Sequence, residues 1–204
     1  MGNFEFIKQD IEDIILIKPR AYEDCRGFFM EFYKKSEFLN YGIKEDFIQD
    51  NFSFSNKNTL RGLHFQKEPY SQSKLVTCLK GRIIDIVVDI RLNSKTFKKY
   101  VKIELSSKNK NILYIPKGFA HGFLALDDEN IVLYKTTKEY NKNSDERRLQ
   151  QYEENLKNLN RNYSEITDGV WLDFNTSFVN IQKQFEAGQF VAAYYKADRV
   201  FSSI

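Results

Sequence analysis

Two histidines serve the whole chain of 204 residues, and each stands in a stretch that could do chemistry. His64 lies in Arg61-Gly62-Leu63-His64-Phe65-Gln66, and His121, 57 residues later, lies in Pro116-Lys117-Gly118-Phe119-Ala120-His121-Gly122-Phe123. Imidazole is the side chain whose ordinary pKa places proton exchange near neutral pH, so acid-base work of that kind must come from one of these segments. Arg61 precedes His64 by three positions, and a strand or tight turn at Gly62 would bring guanidinium and imidazole to the mouth of one cavity. There Arg61 could grip a phosphate with two parallel hydrogen bonds while His64 exchanged a proton with the same ligand. The residues alone equally support a structural histidine beside a surface arginine.

Other chemistries lack their parts. A mononuclear metal site on a small β barrel typically takes two or three histidines and a carboxylate. Neither histidine has a His, Cys or Glu partner at ligand spacing, so no metal is expected. The chain contains no Gly-x-Ser-x-Gly elbow, no Gly-x-Gly-x-x-Gly and no P-loop, which argues against a nucleophilic serine and a tightly held nucleotide cofactor. General acid-base catalysis without a cofactor remains.

The elements that must position these residues read as mainly β. Ile14-Ile15-Leu16-Ile17 is a β-branched run, Asp24 to Phe32 a glycine turn and an aromatic strand, and Lys34 to Tyr41 a short helix stopped by Gly42. Between Phe47 and Ser55 one face carries Gln49, Asn51, Ser53 and Ser55 and the other Ile48, Asp50, Phe52 and Phe54, so the polar face points either to water or into a ligand cavity. Lys74 to Leu79 and Arg82 to Arg91 read as two strands of a hairpin joined at Lys80-Gly81. In the second of these, Ile84, Ile86, Val88 and Ile90 look like the core face, opposite Ile83, Asp85, Val87 and Asp89. Tyr100 to Leu105, Ile112 to Ile115, Gly122 to Leu126 and Asn130 to Thr136 add further short strands, the rhythm of a closed or double-sheet β fold. Beyond them Leu149, Tyr152, Leu156, Leu159 and Tyr163 recur at helical spacing, which predicts an amphipathic helix over about 146–163, and Gly169 to Ile181 returns toward strand.

Composition narrows the partners. Thirty-one basic and 28 acidic residues leave a net charge of +3 without a basic block, which excludes nucleic acid as the main partner and suits a small anionic ligand. Cys25 and Cys78 are expected to be reduced. No apolar run is long enough to cross a bilayer and the first residues lack the order of a signal peptide, so a cytoplasmic protein without a membrane partner is expected.

A series of motifs then carries a likeness. Gln49-x-Asn51-x-Ser53-x-Ser55, Leu60-Arg61-Gly62-Leu63-His64-Phe65-Gln66, Lys74-Leu75-Val76, Asp85-Ile86-Val87-Val88-Asp89-Ile90-Arg91, Ser94-x-Thr96-Phe97, Ile115-Pro116-x-Gly118-Phe119-Ala120-His121-Gly122-Phe123 and Leu133-Tyr134-Lys135-x-Thr137 follow in order, with Asp24-x-Arg26-Gly27-x-Phe29-x-Glu31 upstream. Over about residues 5–141 the chain resembles the dTDP-4-dehydrorhamnose 3,5-epimerase family. That resemblance implies a cupin-type β jelly roll, a double-sheet β barrel, with residues 1–141 as its core and 142–204 as a divergent appendage bearing the helix. It also implies a cofactor-free isomerase of dTDP-rhamnose biosynthesis, inverting C3, C5 or both in a nucleotide-linked 4-keto-6-deoxy sugar.

By matched position, His64 would be the base and Tyr134 the acid on the opposite face. Arg61 and Arg26 would contact the diphosphate, with Gln49, Asn51, Lys74 and His121 lining the pocket and Lys74 as the cation near the enolate oxygen. A homodimer with exchanged N-terminal strands would let Arg26 and Glu31 serve the neighbour's site. The chain departs from the family near its C-terminus, where the Ser-x-Lys-Asp segment that orients the catalytic histidine is missing. Asp85, Asp168, Asp173 and Asp198 are the candidate substitutes. That departure also motivates an alternative, a non-catalytic homologue that only binds nucleotide sugars.

Overall fold

The computed structural model describes residues 2–144, apart from Leu92 and Lys98. The predicted helix over about 146–163, the strand-like stretch 169–181 and the aspartates at 168, 173 and 198 lie outside the described residues. Strands β1 (Phe4–Lys8), β2 (Ile15–Pro19), β3 (Ala21–Asp24) and β4 (Gly27–Met30) precede helix α1 (Lys35–Tyr41). Then follow β5 (Gln49–Asn56), β6 (Leu60–His64), β7 (Lys74–Lys80), β8 (Arg82–Asp89), β9 (Tyr100–Ser106), β10 (Ile112–Ile115), β11 (Phe119–Ala125) and β12 (Glu129–Thr136). A six-stranded sheet in the order β1-β2-β10-β7-β12-β5 faces a four-stranded sheet in the order β6-β11-β8-β9, and β3-β4 form a separate hairpin. This is the cupin-type double-sheet jelly roll expected from the motif series.

The core between the sheets is built from alternate residues of both. Val76, Cys78, Leu113, Ile115 and Val132 come from the larger sheet, and Ile83, Val87, Val101, Ile103, Leu105, Phe119 and Phe123 from the smaller. A second core lies on the larger sheet's other face, where α1 lays its fully buried Phe38 edge-on against Phe4, Phe6 and Tyr33 at ring separations of 5.1, 5.3 and 4.9 Å. Gly42, at φ 109°, ends that helix as predicted, its N–H donating to the carbonyls of Phe38 and Leu39.

Two sequence expectations change. Lys80-Gly81 is not a hairpin: β7 pairs with β10 and β12, whereas β8 pairs with β9 and β11. The chain turns a corner there from one sheet into the other, and Gly81 is needed because a Cβ would sit 2.3 Å from the Glu129 carbonyl oxygen. The core face of β8 also differs from the expected one, since Ile83 and Val87 enter the inter-sheet core and carry Asp85 and Asp89 inward with them, both at 0% exposure. Asp89 is fully furnished. Arg91 Nε and Nη2 donate to it at 2.9 and 2.8 Å, and Ser94 Oγ and Thr96 Oγ1 at 2.6 Å each. Burial works to raise its pKa, but these donors outweigh burial and hold the carboxyl well below the usual range.

Candidate active site

His64 and His121 are partners across the β6–β11 ladder, directly opposite one another. The ladder slips between His121 and Phe123, and the two backbones come unusually close at that point. A Cβ on Gly62 would stand 2.5 Å from the His121 carbonyl oxygen and 2.7 Å from Gly122 Cα, and one on Gly122 would stand 2.6 Å from the Arg61 carbonyl oxygen. Glycine at both positions therefore allows the close approach that sets the two imidazoles side by side. His121 shares its face of β11 with Phe119 and Phe123 of the inter-sheet core, so the pair projects into the interior.

The larger sheet supplies the groups that face them. Tyr134 on β12 is the partner of Asn51 on β5 and of Val76 on β7, and it packs against the inter-sheet core. Lys74 opens β7 between Ile115 and Thr136 and is 5% exposed. Its neighbour Ser73 is pinned on three sides: its N–H donates to Thr137 Oγ1, its hydroxyl donates to Glu45 Oε1, and it accepts from the Lys117 N–H. From that fixed root Lys74 Nζ reaches across to 3.3 Å from His64 Nδ1. An ammonium can only donate, so Nδ1 accepts, and the proton of a neutral ring sits on Nε2. Nδ1 is then the basic atom of His64 in the free protein, and the ammonium lies beside it.

The electrostatics sort the two ionisable groups into opposite roles. Burial first, then the neighbouring Lys74 and His121, push His64 down to about 4, so it is neutral and ready to accept a proton at neutral pH. Burial pushes the Tyr134 phenol up, with the Arg61 guanidinium opposing it, so Tyr134 keeps its proton to give. Arg61 is held by hydrogen bonds from Nε to Ser55 Oγ and from Nη2 to the Phe54 carbonyl, both 2.9 Å.

The polar face of β5, open to either reading in the sequence, turns inward. Gln49, Asn51, Ser53 and Ser55 are half-buried or buried, and Phe52 and Phe54 on the other face are exposed. Gln49 Nε2 donates to Asn51 Oδ1 at 2.7 Å, and Gln49 Oε1 accepts from the Tyr140 N–H. Tyr140 belongs to a shallow recess of about 260 Å³ lined also by Ile48, Tyr70, Lys138, Glu139 and Asn141. No spacing in the sequence announces that recess, because its walls come from three segments far apart in the chain, at Ile48, Tyr70 and 138–141.

Not every expected site residue joins this group. Arg26 sits in the β3–β4 turn with its side chain 85% exposed, its guanidinium bonded to Asp24. Glu31 accepts from Asn3 Nδ2 and stands 3.7 Å from Lys34 Nζ. Asp85 does not bond to His64; its Oδ2 lies 2.8 Å from His121 Nε2. The strand order explains the change, since β11 lies between β6 and β8 and a β8 carboxylate meets the β11 histidine first. Among the described residues no cluster of three metal-ligating side chains occurs. Both cysteines are free thiols, and no helix among the described residues is long and apolar enough to cross a membrane.

The sequence profile of dTDP-4-dehydrorhamnose 3,5-epimerases matches residues 8–161. The chain belongs to that family. The dTDP-4-dehydrorhamnose 3,5-epimerase of Escherichia coli K12 is 51% identical over 140 residues, which cover 68% of this chain and 76% of the relative. The crystal structure of the Bacillus anthracis epimerase with TDP and PPi bound superposes with a TM-score of 0.68 at 43% identity, over 70% of this chain and 82% of that one. The Legionella pneumophila enzyme, solved in complex with dTDP-4-keto-L-rhamnose, gives a TM-score of 0.68 at 44% identity, over 69% of this chain and 75% of its own. The chain is thus an isomerase of the epimerase family, and the non-catalytic alternative is not favoured.

Proposed function

We propose that this epimerase inverts C3, C5 or both in a dTDP-linked 4-keto-6-deoxy sugar, a step of dTDP-rhamnose biosynthesis, with His64 as base and Tyr134 as acid. The observation that carries the reading is that the two project from facing sheets into one interior, one neutral and basic, the other protonated. Inversion next to a carbonyl needs that arrangement: a proton leaves one face of the ring and another arrives on the opposite face. His64 Nδ1 takes the proton α to the ketone, the electrons move onto the carbonyl oxygen, and the Lys74 ammonium stabilises the enolate that forms. Tyr134 then protonates the carbon from the other side. Arg61 meets the diphosphate, Gln49 and Asn51 hold the sugar and nucleotide, and His121 lines the pocket beside His64. No step calls for a metal or a redox cofactor.

The partner subunit enters the same reading. Phe28 and Phe29 on β4 and Phe52 and Phe54 on β5 are 54%, 68%, 76% and 48% exposed, large apolar side chains suited to burial against a second copy. In a homodimer the β3–β4 hairpin would carry Arg26 toward the neighbour's diphosphate, with Glu31 just beyond it.

Incubation with dTDP-4-keto-6-deoxyglucose in deuterated water tests the function. Deuterium is expected at C3, C5 or both, and its absence at both carbons rejects the substrate. Tyr134→Phe separates the roles: it is expected to lower epimerisation by about 10²- to 10⁴-fold while His64 still exchanges the α proton with retention. Loss of exchange together with inversion would remove Tyr134 as the acid.

A further inference from the structure

We propose that Glu45 is a positioning residue of the epimerase: from the outer face of the larger sheet its carboxylate holds Ser73 and, through it, fixes the root of Lys74, whose ammonium stands beside His64 on the inner face. This rests on the role given to Lys74 above and extends it to a residue on the other side of the sheet.

Successive residues of a strand point to opposite faces of its sheet. Leu75 and its ladder partner Tyr114 belong to the second core, on the outer face, whereas Val76 belongs to the core between the sheets. Lys74 therefore points inward with Val76, toward His64, and Ser73 points outward with Leu75. On that outer face Glu45 Oε1 accepts two hydrogen bonds, from Tyr114 Oη at 2.6 Å and from Ser73 Oγ at 3.1 Å. One carboxylate oxygen thus ties the residue that leads into β7 to the adjacent strand β10.

The tie falls where Lys74 needs it. β7 begins at Lys74, and residues 65–73 before it belong to no strand, so the ladder holds the lysine from one side only. A lysine at 5% exposure must keep one conformation for its Nζ to stay 3.3 Å from His64 Nδ1. Glu45 can serve as a fixed point because its own segment is anchored on both sides. Ile43 is 4% exposed in the second core, and Phe47 packs on the same core and meets Tyr33 edge-on. Burial first, and then the bond to Glu45, push the Tyr114 phenol up, so its hydroxyl keeps the hydrogen it donates. Folding alone asks for less: apolar groups of the same shape in place of the carboxylate and the hydroxyls would cover this face nearly as well. What the polar trio adds is a directional hold on Ser73.

The test needs four variants, with wild-type deuterium uptake measured first so that failure of the functional reading is recognised by itself. Glu45→Ala is expected to lower kcat by about 10- to 100-fold with little change in KM, and to lower exchange and inversion together, because the enolate is common to both. Glu45→Gln keeps an acceptor oxygen and should stay within about twofold of the wild type. Ser73→Ala cuts the link while leaving Glu45 with Tyr114, and should reproduce the loss. In a Lys74→Met background neither alanine variant should lower kcat further by more than about twofold. A readout without substrate is the ¹⁵N resonance of His64 Nδ1, identified among the chain's two imidazoles by comparison with His64→Gln: Ser73→Ala should shift it and Glu45→Gln should not. Equal losses with and without Lys74 would make Glu45 a prop of the fold and overturn the proposal. Unchanged kcat or an unmoved His64 resonance in folded Ser73→Ala protein does the same, even if Glu45→Ala does not fold. Wild-type kcat in Lys74→Met would remove the role of Lys74 and this proposal with it.

Discussion

An imidazole held far below its ordinary pKa must cost the fold stability in acid, and the cost can be measured. His64 is pushed from 6.5 to about 4 in the folded protein, chiefly by burial and further by Lys74 and His121. Because the folded-state pKa is the lower one, the unfolded chain binds the proton more tightly. The effect is absent well above pH 6.5, grows as pH falls from 6.5 toward 4, and is complete below that. Linkage over this interval gives about 2 kcal/mol at pH 5 and about 3.4 kcal/mol at the acid limit. The perturbation is His64→Gln, which removes the titration and keeps a polar group of similar reach. Urea unfolding of both proteins between about pH 8 and pH 5 should show the wild type losing about 2 kcal/mol more than the variant. In parallel, the acid limb of kcat/KM should lie near pH 4 and not near 6.5. A stability gap that does not vary with pH would refute the account of His64 as a desolvated neutral base.

Two further outcomes follow from the same geometry. Gly62→Ala must place a methyl group within 2.5 Å of the His121 carbonyl at a φ of 98°, and is expected to destabilise the protein by about 2–5 kcal/mol, read by urea unfolding; a loss below about 0.5 kcal/mol would contradict the close approach of β6 and β11. If the proposed homodimer buries β5, Phe52→Asp, at a position 76% exposed, should leave the fold intact and give a lower sedimentation coefficient than the wild type in sedimentation velocity, whereas an unchanged coefficient would count against that interface.

Short strands, their succession along the chain and the residues with chemical capacity were legible in the sequence, because alternation and glycine punctuation are local properties. Gly42 ends α1 by its own left-handed geometry, and Ile112 to Ile115 needs no neighbour to read as a strand. Reading failed where the answer depended on which strands pair. Lys80-Gly81 has the composition of a hairpin, yet β7 and β8 part into different sheets, β7 between β10 and β12 and β8 between β11 and β9. The polar face of β5 could have met water or a cavity, and only the sheet opposite it turned that face inward.

The motif series around His64 and Tyr134 determined the family and, with it, the chemistry, since proton transfer next to a carbonyl requires particular side chains and few others. Pairing decided what those side chains touch. His64 and His121 stand 57 residues apart in the chain and opposite one another in a ladder, and Lys74 reaches His64 from the facing sheet. Asp85 belongs to His121 because β11 is the strand between β8 and β6. Such contacts depend on register and strand order, which are set by the whole sheet and not by any segment of the sequence.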